Sequence, residues 1–184
     1  MLLQKYLLGR CGNISEYYLI VPWKELDNWN KPYNFKDFND VYEIATKNIK
    51  NFKHKCKILR GRTIEVIDEI PNNSLDFAYI DGDHKVKGIS IDLISILPKN
   101  GRGIFYWGDD FVDPLQLGTK YELSLVDPFA LYFAQANKFP CAKLGRRQFC
   151  INVDRNKSFS FTDFVDDRGS DIYPDIMSRI GKRL

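Results

Sequence analysis

The stretch Leu75-Asp76-Phe77-Ala78-Tyr79-Ile80-Asp81-Gly82-Asp83-His84 runs from an apolar, strand-like segment straight into two acids and a histidine. A second apolar segment, 103–107, ends the same way, in Gly108-Asp109-Asp110-Phe111. In an open parallel sheet the loops at the carboxyl ends of the strands share one edge, and ligands bind in the crevice there. With one helix between the two segments, a single crossover brings both acid clusters to that edge, where neighbouring strands lie about 4.8 Å apart. Asp81, Asp109 and Asp110 are therefore expected to converge. Three bare carboxylates repel one another, and a hard divalent cation such as Mg²⁺, Mn²⁺ or Ca²⁺ removes the repulsion and suits oxygen donors better than zinc does. Beside such an ion, Asp83 or His84 is placed to take a proton from a substrate hydroxyl, with Asp83 the better base. A plainer reading stands next to this one. Asp83 caps a helix starting near Lys85, Gly108-Asp109-Asp110 is a turn, and His84 is a loop histidine or a hydrogen-bond partner behind the metal ligands.

Three short apolar runs, at 17–21, 57–59 and 77–80, read as strands buried on both faces, and 103–107 reads as another strand. Between them, 37–52 places Phe38, Val41, Ile44, Ala45, Ile49 and Phe52 at three- and four-residue spacings, the stripe of an amphipathic helix. Further helices are expected at 62–70, at 86–97 through Ile89, Leu93, Ile96 and Leu97, and at 126–138; Pro98, Asn100 and Gly101 stop the second of these. Strand and helix alternating at this rhythm imply right-handed crossovers and a mainly parallel sheet, so the class is α/β. Segments 139–143 and 147–153, joined through Leu144, Gly145 and Arg146, read as an antiparallel hairpin at one sheet edge. The domain is thus drawn over 1–153. Residues 154–184 are polar, with an interrupted Phe159, Phe161, Phe164 pattern and a Lys182-Arg183 end, and are expected to be a loosely held tail.

A length of 184 residues suits one domain, and 44% apolar with 28% charged residues is ordinary globular usage. Lys plus Arg number 27 against 24 Asp plus Glu, a net charge of +3 with no run of five like charges, so nothing calls for a nucleic-acid partner. Lys47, Lys50, Lys53, Lys55 and Lys57 read as the solvated side of a helix and its exit. No apolar run approaches the ~20 residues of a membrane span, and Gln4 and Lys5 interrupt the leucines at the start, so no membrane association and a cytoplasmic address are expected. The four cysteines form no CxxC pair and are read as reduced thiols. Cys141 and Cys150 fall on facing strands of the hairpin, where a disulfide is geometrically allowed, but two small buried hydrophobes is the favoured reading.

These motifs resemble class I S-adenosylmethionine-dependent methyltransferases, in the metal-dependent branch with a strand-terminal Asp-Gly-Asp-His and a later Gly-Asp-Asp. The likeness spans Tyr18-Leu19-Ile20-Val21-Pro22-Trp23, the Asp27 to Tyr33 loop, Leu59-Arg60-Gly61, the Ser74 to His84 segment, Gly108-Asp109-Asp110-Phe111 and the closing hairpin. It implies a Rossmann-like sheet of order 3-2-1-4-5-7-6 and methyl transfer from S-adenosylmethionine to an oxygen of a small polyhydroxylated molecule. It further implies that Asp81, Asp109 and Asp110 hold Mg²⁺ or another divalent cation and that Asp83 is the base, with His84 beside it. For the cofactor it implies contacts from Gly61, Arg62 and Thr63 on the adenine side, with Trp23, Val21 and Asp81 around the same pocket. Arg62 and Thr63 serve equally well as a helix start, and Trp23, Trp29, Tyr33 and Trp107 as packing surface.

The chain departs from that pattern in two places. It lacks the first strand and the E-x-G-x-x-x-G type of turn whose bare backbone admits the methionine portion of the cofactor, and 1–8 resembles the helix that would follow such a turn. Val21 stands where the family's second strand ends in the acid that binds the ribose hydroxyls, and a valine accepts no hydrogen bond. The missing strand is the central one. Its neighbours pair directly, receive a strand from a partner chain in a homo-oligomer, or belong to an incomplete chain. A non-catalytic methyltransferase-fold remnant that has lost cofactor binding is accordingly the rival to the enzyme reading.

Overall fold

The computed structural model describes residues 7–24, 38–108, 125–144 and 148–164. Helices and strands alternate as the hydrophobic periods require: β1 (Tyr17–Ile20), α1 (Phe38–Asn48), β2 (Cys56–Leu59), α2 (Thr63–Val66), β3 (Leu75–Ile80), α3 (Val86–Ile96), β4 (Asn100–Gly108), α4 (Val126–Ala136), then β5 (Cys141–Leu144), β6 (Gln148–Val153) and β7 (Phe161–Asp163). The result is a mixed α/β fold. A helical turn at 7–10 precedes β1 and buries Leu7 and Leu8.

The strands form two sheets. β1 and β2 pair in parallel, and the second sheet has the order β3-β4-β6-β5-β7. Within it β3 and β4 are parallel, β6 runs antiparallel between β4 and β5, and β7 is parallel to β5. The expected hairpin is β5 with β6, but it does not form the sheet edge, because β7 pairs on the outer side of β5. Among the described residues β1 and β3 do not pair with each other, so of the arrangements left open by the missing central strand, direct pairing is not adopted.

The main core lies under the larger sheet. α4 turns Val126, Ala130, Phe133 and Ala134 inward at helical spacing, α3 adds Ile89 and Leu93, and both faces meet Ala78, Ile80, Tyr106, Phe149 and Ile151 of the strands. The buried Tyr106 hydroxyl is met by the side-chain amide of Asn100. A smaller cluster of Leu59, Val66, Ile67 and Ile70 packs against Tyr18 and Ile20 of β1 and Leu75 of β3, joining the two sheets through side chains rather than a hydrogen-bond ladder.

Three further expectations need correction, while the reading of the cysteines as reduced thiols stands. The helix at 62–70 is broken: α2 stops at Val66 and tightens into a 3₁₀ turn, Ile67–Glu69. Pro71 disfavours helical geometry at Ile70, which is extended at φ −94 and ψ 123, and the tighter turn swings Ile67 and Ile70 into the small cluster. The strand at 17–21 is not buried on both faces. All four residues of β1 are half-buried, since it has one strand neighbour among the described residues. The segment beyond Val153 is not wholly a loose tail, because Phe161–Asp163 extends the sheet as β7 and Phe159 packs on the core. Cys141 and Cys150 are free thiols. Cys141 stands opposite Ile151 and Cys150 opposite Ala142, so alternation along the strands sends the two side chains to opposite faces of the sheet.

Candidate functional site

The register of β3 and β4 places Ile80 opposite Gly108, so Asp81 leaves the sheet level with the end of β4. In the smaller sheet the Val21 amide donates to the Leu59 carbonyl at 3.3 Å, which brings the ends of β1 and β2 level with each other. Thr63, at the start of α2, is near enough to Asp92 on α3 for its hydroxyl to lower the pKa of that carboxyl.

The acid loop between β3 and α3 is packed tightly on that helix. A Cβ at Gly82 would stand 2.6 Å from Asp92 Oδ2, and one at Gly88 would stand 2.3 Å from the Asp83 Cβ and 2.7 Å from the Asp83 carbonyl oxygen. At Gly88 only bare backbone fits, whereas at Gly82 the neighbour is the end of a side chain. Asp83 Oδ1 accepts the Lys85 amide at 3.1 Å, a turn ahead of α3 rather than the helix cap expected of it, since α3 starts from Lys85 with no side-chain cap, and Oδ2 lies outside that bond. The His84 carbonyl accepts the Leu125 amide at 2.9 Å, tying the loop to the beginning of α4, and the His84 side chain is half-buried. Asp81 is exposed.

The residues expected around the cofactor divide into two groups. Gly61 is buried where β2 turns into α2. Arg62 is exposed and engaged with Glu65, which accepts its amide at 2.8 Å and its guanidinium at 2.7 Å at the start of α2. Thr63 faces Asp92. Trp23 is buried, stacks edge-on against Tyr42 of α1 at 5.1 Å, and carries a positive φ of 43, while its carbonyl accepts from Arg60 at 3.5 Å. It therefore serves as packing between β1 and α1. Val21 contributes its amide to the ladder and has no side-chain acceptor.

Asp109 and Asp110, with Trp29 and Tyr33, lie outside the described residues. Among the described residues no three acidic, histidine or cysteine side chains gather where one ion would bind them. Asp81 by its exposure and hard oxygens fits a divalent cation as one ligand of a set. A shallow depression on α1 lined by Tyr42, Glu43, Thr46, Lys47, Lys50 and Lys53 includes none of these residues.

Asp92 is the residue that periodicity alone passed over. Burial pushes its carboxyl up to about 6, the Thr63 hydroxyl draws it partly back, and the Asp83 carboxylate adds to the rise. Its signal in the sequence is an acid next to Leu93 and three residues after Ile89, in the stripe that buries α3.

No family model matches the chain, and no curated protein matches it. The chain is similar to a Corynebacterium glutamicum protein of known crystal structure, with a TM-score of 0.55 and 13% identity over 83% of this chain and 79% of that one. At that identity the likeness is one of fold, and it agrees with a mixed α/β architecture. Among the described residues no helix is long and apolar enough to cross a membrane.

Proposed function

We propose that the chain is a Rossmann-like, class I S-adenosylmethionine-dependent methyltransferase that carries out metal-assisted O-methylation of a small polyhydroxylated substrate. The observation that carries this reading is the register of Ile80 with Gly108, which brings Asp81 and the start of the Gly-Asp-Asp segment to one sheet edge. The family likeness of the two motifs and the fold of the Corynebacterium glutamicum neighbour support it. A bound Mg²⁺ or similar cation would lower the pKa of an acceptor hydroxyl and fix its neighbouring oxygen. Asp81 supplies an oxygen ligand to it, with Asp109 and Asp110 as the others. Asp83 takes the proton on Oδ2, its carboxylate oriented by the Lys85 amide on Oδ1. Gly61, Arg62 and Thr63 border the adenine side. The methyl donor is already reactive, so alignment is the larger part of the catalysis.

A second reading, a non-catalytic remnant of the same fold, is favoured by Val21, which offers the ribose no acceptor, and by the separation of β1 from β3. Calorimetric titration with S-adenosylmethionine, with and without Mg²⁺, decides between them. Micromolar binding, about −8 kcal/mol, supports the enzyme; no heat at millimolar ligand from folded protein supports the remnant. In an active preparation Asp81→Ala should remove the metal-dependent part of the rate, and full retention of it would overturn the role given to Asp81.

A further inference from the structure

We propose that the hollow on α1 walled by Lys47, Lys50 and Lys53 binds a small, free ligand carrying two or more phosphate groups. Its walls hold none of the strand-terminal residues, so this site stands apart from the function proposed above.

The positive charge of the chain is concentrated here. Residues 38–60 carry six lysine and arginine side chains against two acids, Asp40 and Glu43, a net +4, whereas the whole chain carries +3. α1 ends at Asn48, and the chain then tightens into a 3₁₀ turn, Lys50–Phe52. The Phe52 amide donates to the Ile49 carbonyl at 2.8 Å and the Lys55 amide to the Phe52 carbonyl at 2.9 Å, which holds the turn closed. Lys50 and Lys53 are thereby brought to the same hollow as Tyr42, Glu43, Thr46 and Lys47 of the helix, a concavity of about 270 Å³.

Among the described residues none of these three lysines is in an ion pair, and Glu43 shares the wall without pairing to them. The neighbouring cations are already engaged. Lys57 pairs with Glu16 at 2.7 Å, and Arg60 donates to Asn39 at 3.0 Å while lying over the Tyr42 ring at 5.0 Å. The helix dipole accounts for Lys47, in the last turn of α1, but not for the two lysines beyond the helix. Three uncompensated ammonium groups around one concavity repel one another and focus their field on an anion placed between them. A lysine ammonium is a point-charge donor to phosphate oxygens, and three of them roughly balance two phosphate groups of about −1.5 to −2 each.

The dimensions favour a small ligand over a nucleic acid. The volume is close to the lower bound of small-molecule sites. A nucleic-acid backbone needs a track of free cations, and none leads away from this hollow: Asp40 and Glu43 lie toward the start of α1, and Lys57 on β2 is neutralised by Glu16.

The test uses the full chain and inorganic tripolyphosphate, titrated by calorimetry without divalent cations. A Kd below about 100 μM is expected at low salt, weakening as salt screens the site. Lys50→Gln and Lys53→Gln should each weaken binding about fivefold or more, and the exposed Lys157→Gln should leave it within about twofold. No binding at millimolar tripolyphosphate, or an equal loss from Lys157→Gln, would refute the site. Citrate, a carboxylate of similar charge, should bind at least about tenfold more weakly, and equal affinity would overturn the phosphate assignment. Two further probes check that the ligand is small and free: a single-stranded oligonucleotide, and phosphatidylcholine vesicles containing phosphatidylinositol bisphosphate. Weaker binding of the oligonucleotide than of tripolyphosphate and protein left in the supernatant by the vesicles support the proposal. A clearly tighter oligonucleotide complex, or protein pelleting with the vesicles, would overturn it. The exposed lysines carry little of the fold, and circular dichroism of each variant matching the parent confirms that a lost affinity is a lost contact.

Discussion

Replacing Gly88 by alanine sets two general rules against each other inside one helix. Alanine is favoured over glycine in a helix interior by about 1 kcal/mol, so propensity alone predicts a more stable protein. At this position the added methyl would stand 2.3 Å from the Asp83 Cβ, 2.7 Å from its Cγ and 2.7 Å from its carbonyl oxygen. Two of those atoms are held by the backbone or one bond from it, so the clash is not relieved by rotating a flexible side-chain end. Overpacking of this kind costs about 1 to 3 kcal/mol, and pushing Asp83 away also breaks its bond to the Lys85 amide, a further ~1 kcal/mol. The net effect is a loss near 2 kcal/mol, which in a chain of this length lowers the Tm by about 4 to 8 °C. Gly9 provides the internal control: it lies in the helical turn at 7–10, and a Cβ there meets nothing within 4 Å. Gly9→Ala should raise the Tm by a few degrees at most. Thermal unfolding followed by circular dichroism reads both. A Gly88→Ala protein as stabilised as Gly9→Ala would refute the close packing of the acid loop on α3.

Asp92→Asn should stabilise the protein at pH 8 by on the order of 2 kcal/mol. With the folded carboxyl pushed up to about 6, wild type loses stability relative to the variant as pH rises from the ordinary carboxylate range to 6, so the two Tm curves should meet below that range, separate across it and run parallel above 6. A constant difference across pH would be inconsistent with a desolvated carboxyl. Trp23→Ala, which empties the contact with Tyr42, should cost about 3 to 5 kcal/mol in urea unfolding, and a loss under 1 would contradict its burial. Burial pushes the Cys141 and Cys150 thiols up to about 12, so a disulfide reagent at pH 8 should reach them only as the protein unfolds, and rapid native labelling at either would be the contrary result.

The alternation of β and α was legible because each apolar period is long enough to select one geometry: α1, α3 and α4 carry stripes of three or more turns, and the β5–β6 hairpin is flanked by clear strand runs. Asp83 was legible as part of the approach to α3, although its carboxylate meets the Lys85 amide ahead of the helix and does not cap the first turn. The break after Val66 was less so, because the apolar stripe continues through Ile67 and Ile70 and only Pro71 marks the change. β7 is three residues long, all exposed, and its pairing with β5 follows from tertiary placement rather than from any pattern of its own. Asp92 was passed over for a related reason. Helical periodicity counts apolar positions, and the close approach that matters runs to Gly82, in the loop ahead of the helix. Asp109 and Asp110 fall outside the described residues.

The divided sheet also leaves a mark along β1 itself. The amides of Tyr17 and Val21 point to β2, where Lys55 and Leu59 accept them. Strand geometry turns the amides of Tyr18 and Ile20 the other way, toward an edge that no described strand covers. Slow and fast amides should then alternate residue by residue along this strand, like the teeth of a comb. Any polypeptide that came to lie beside β1 would erase that alternation, so the comb is a built-in reporter of whether this edge is covered in solution.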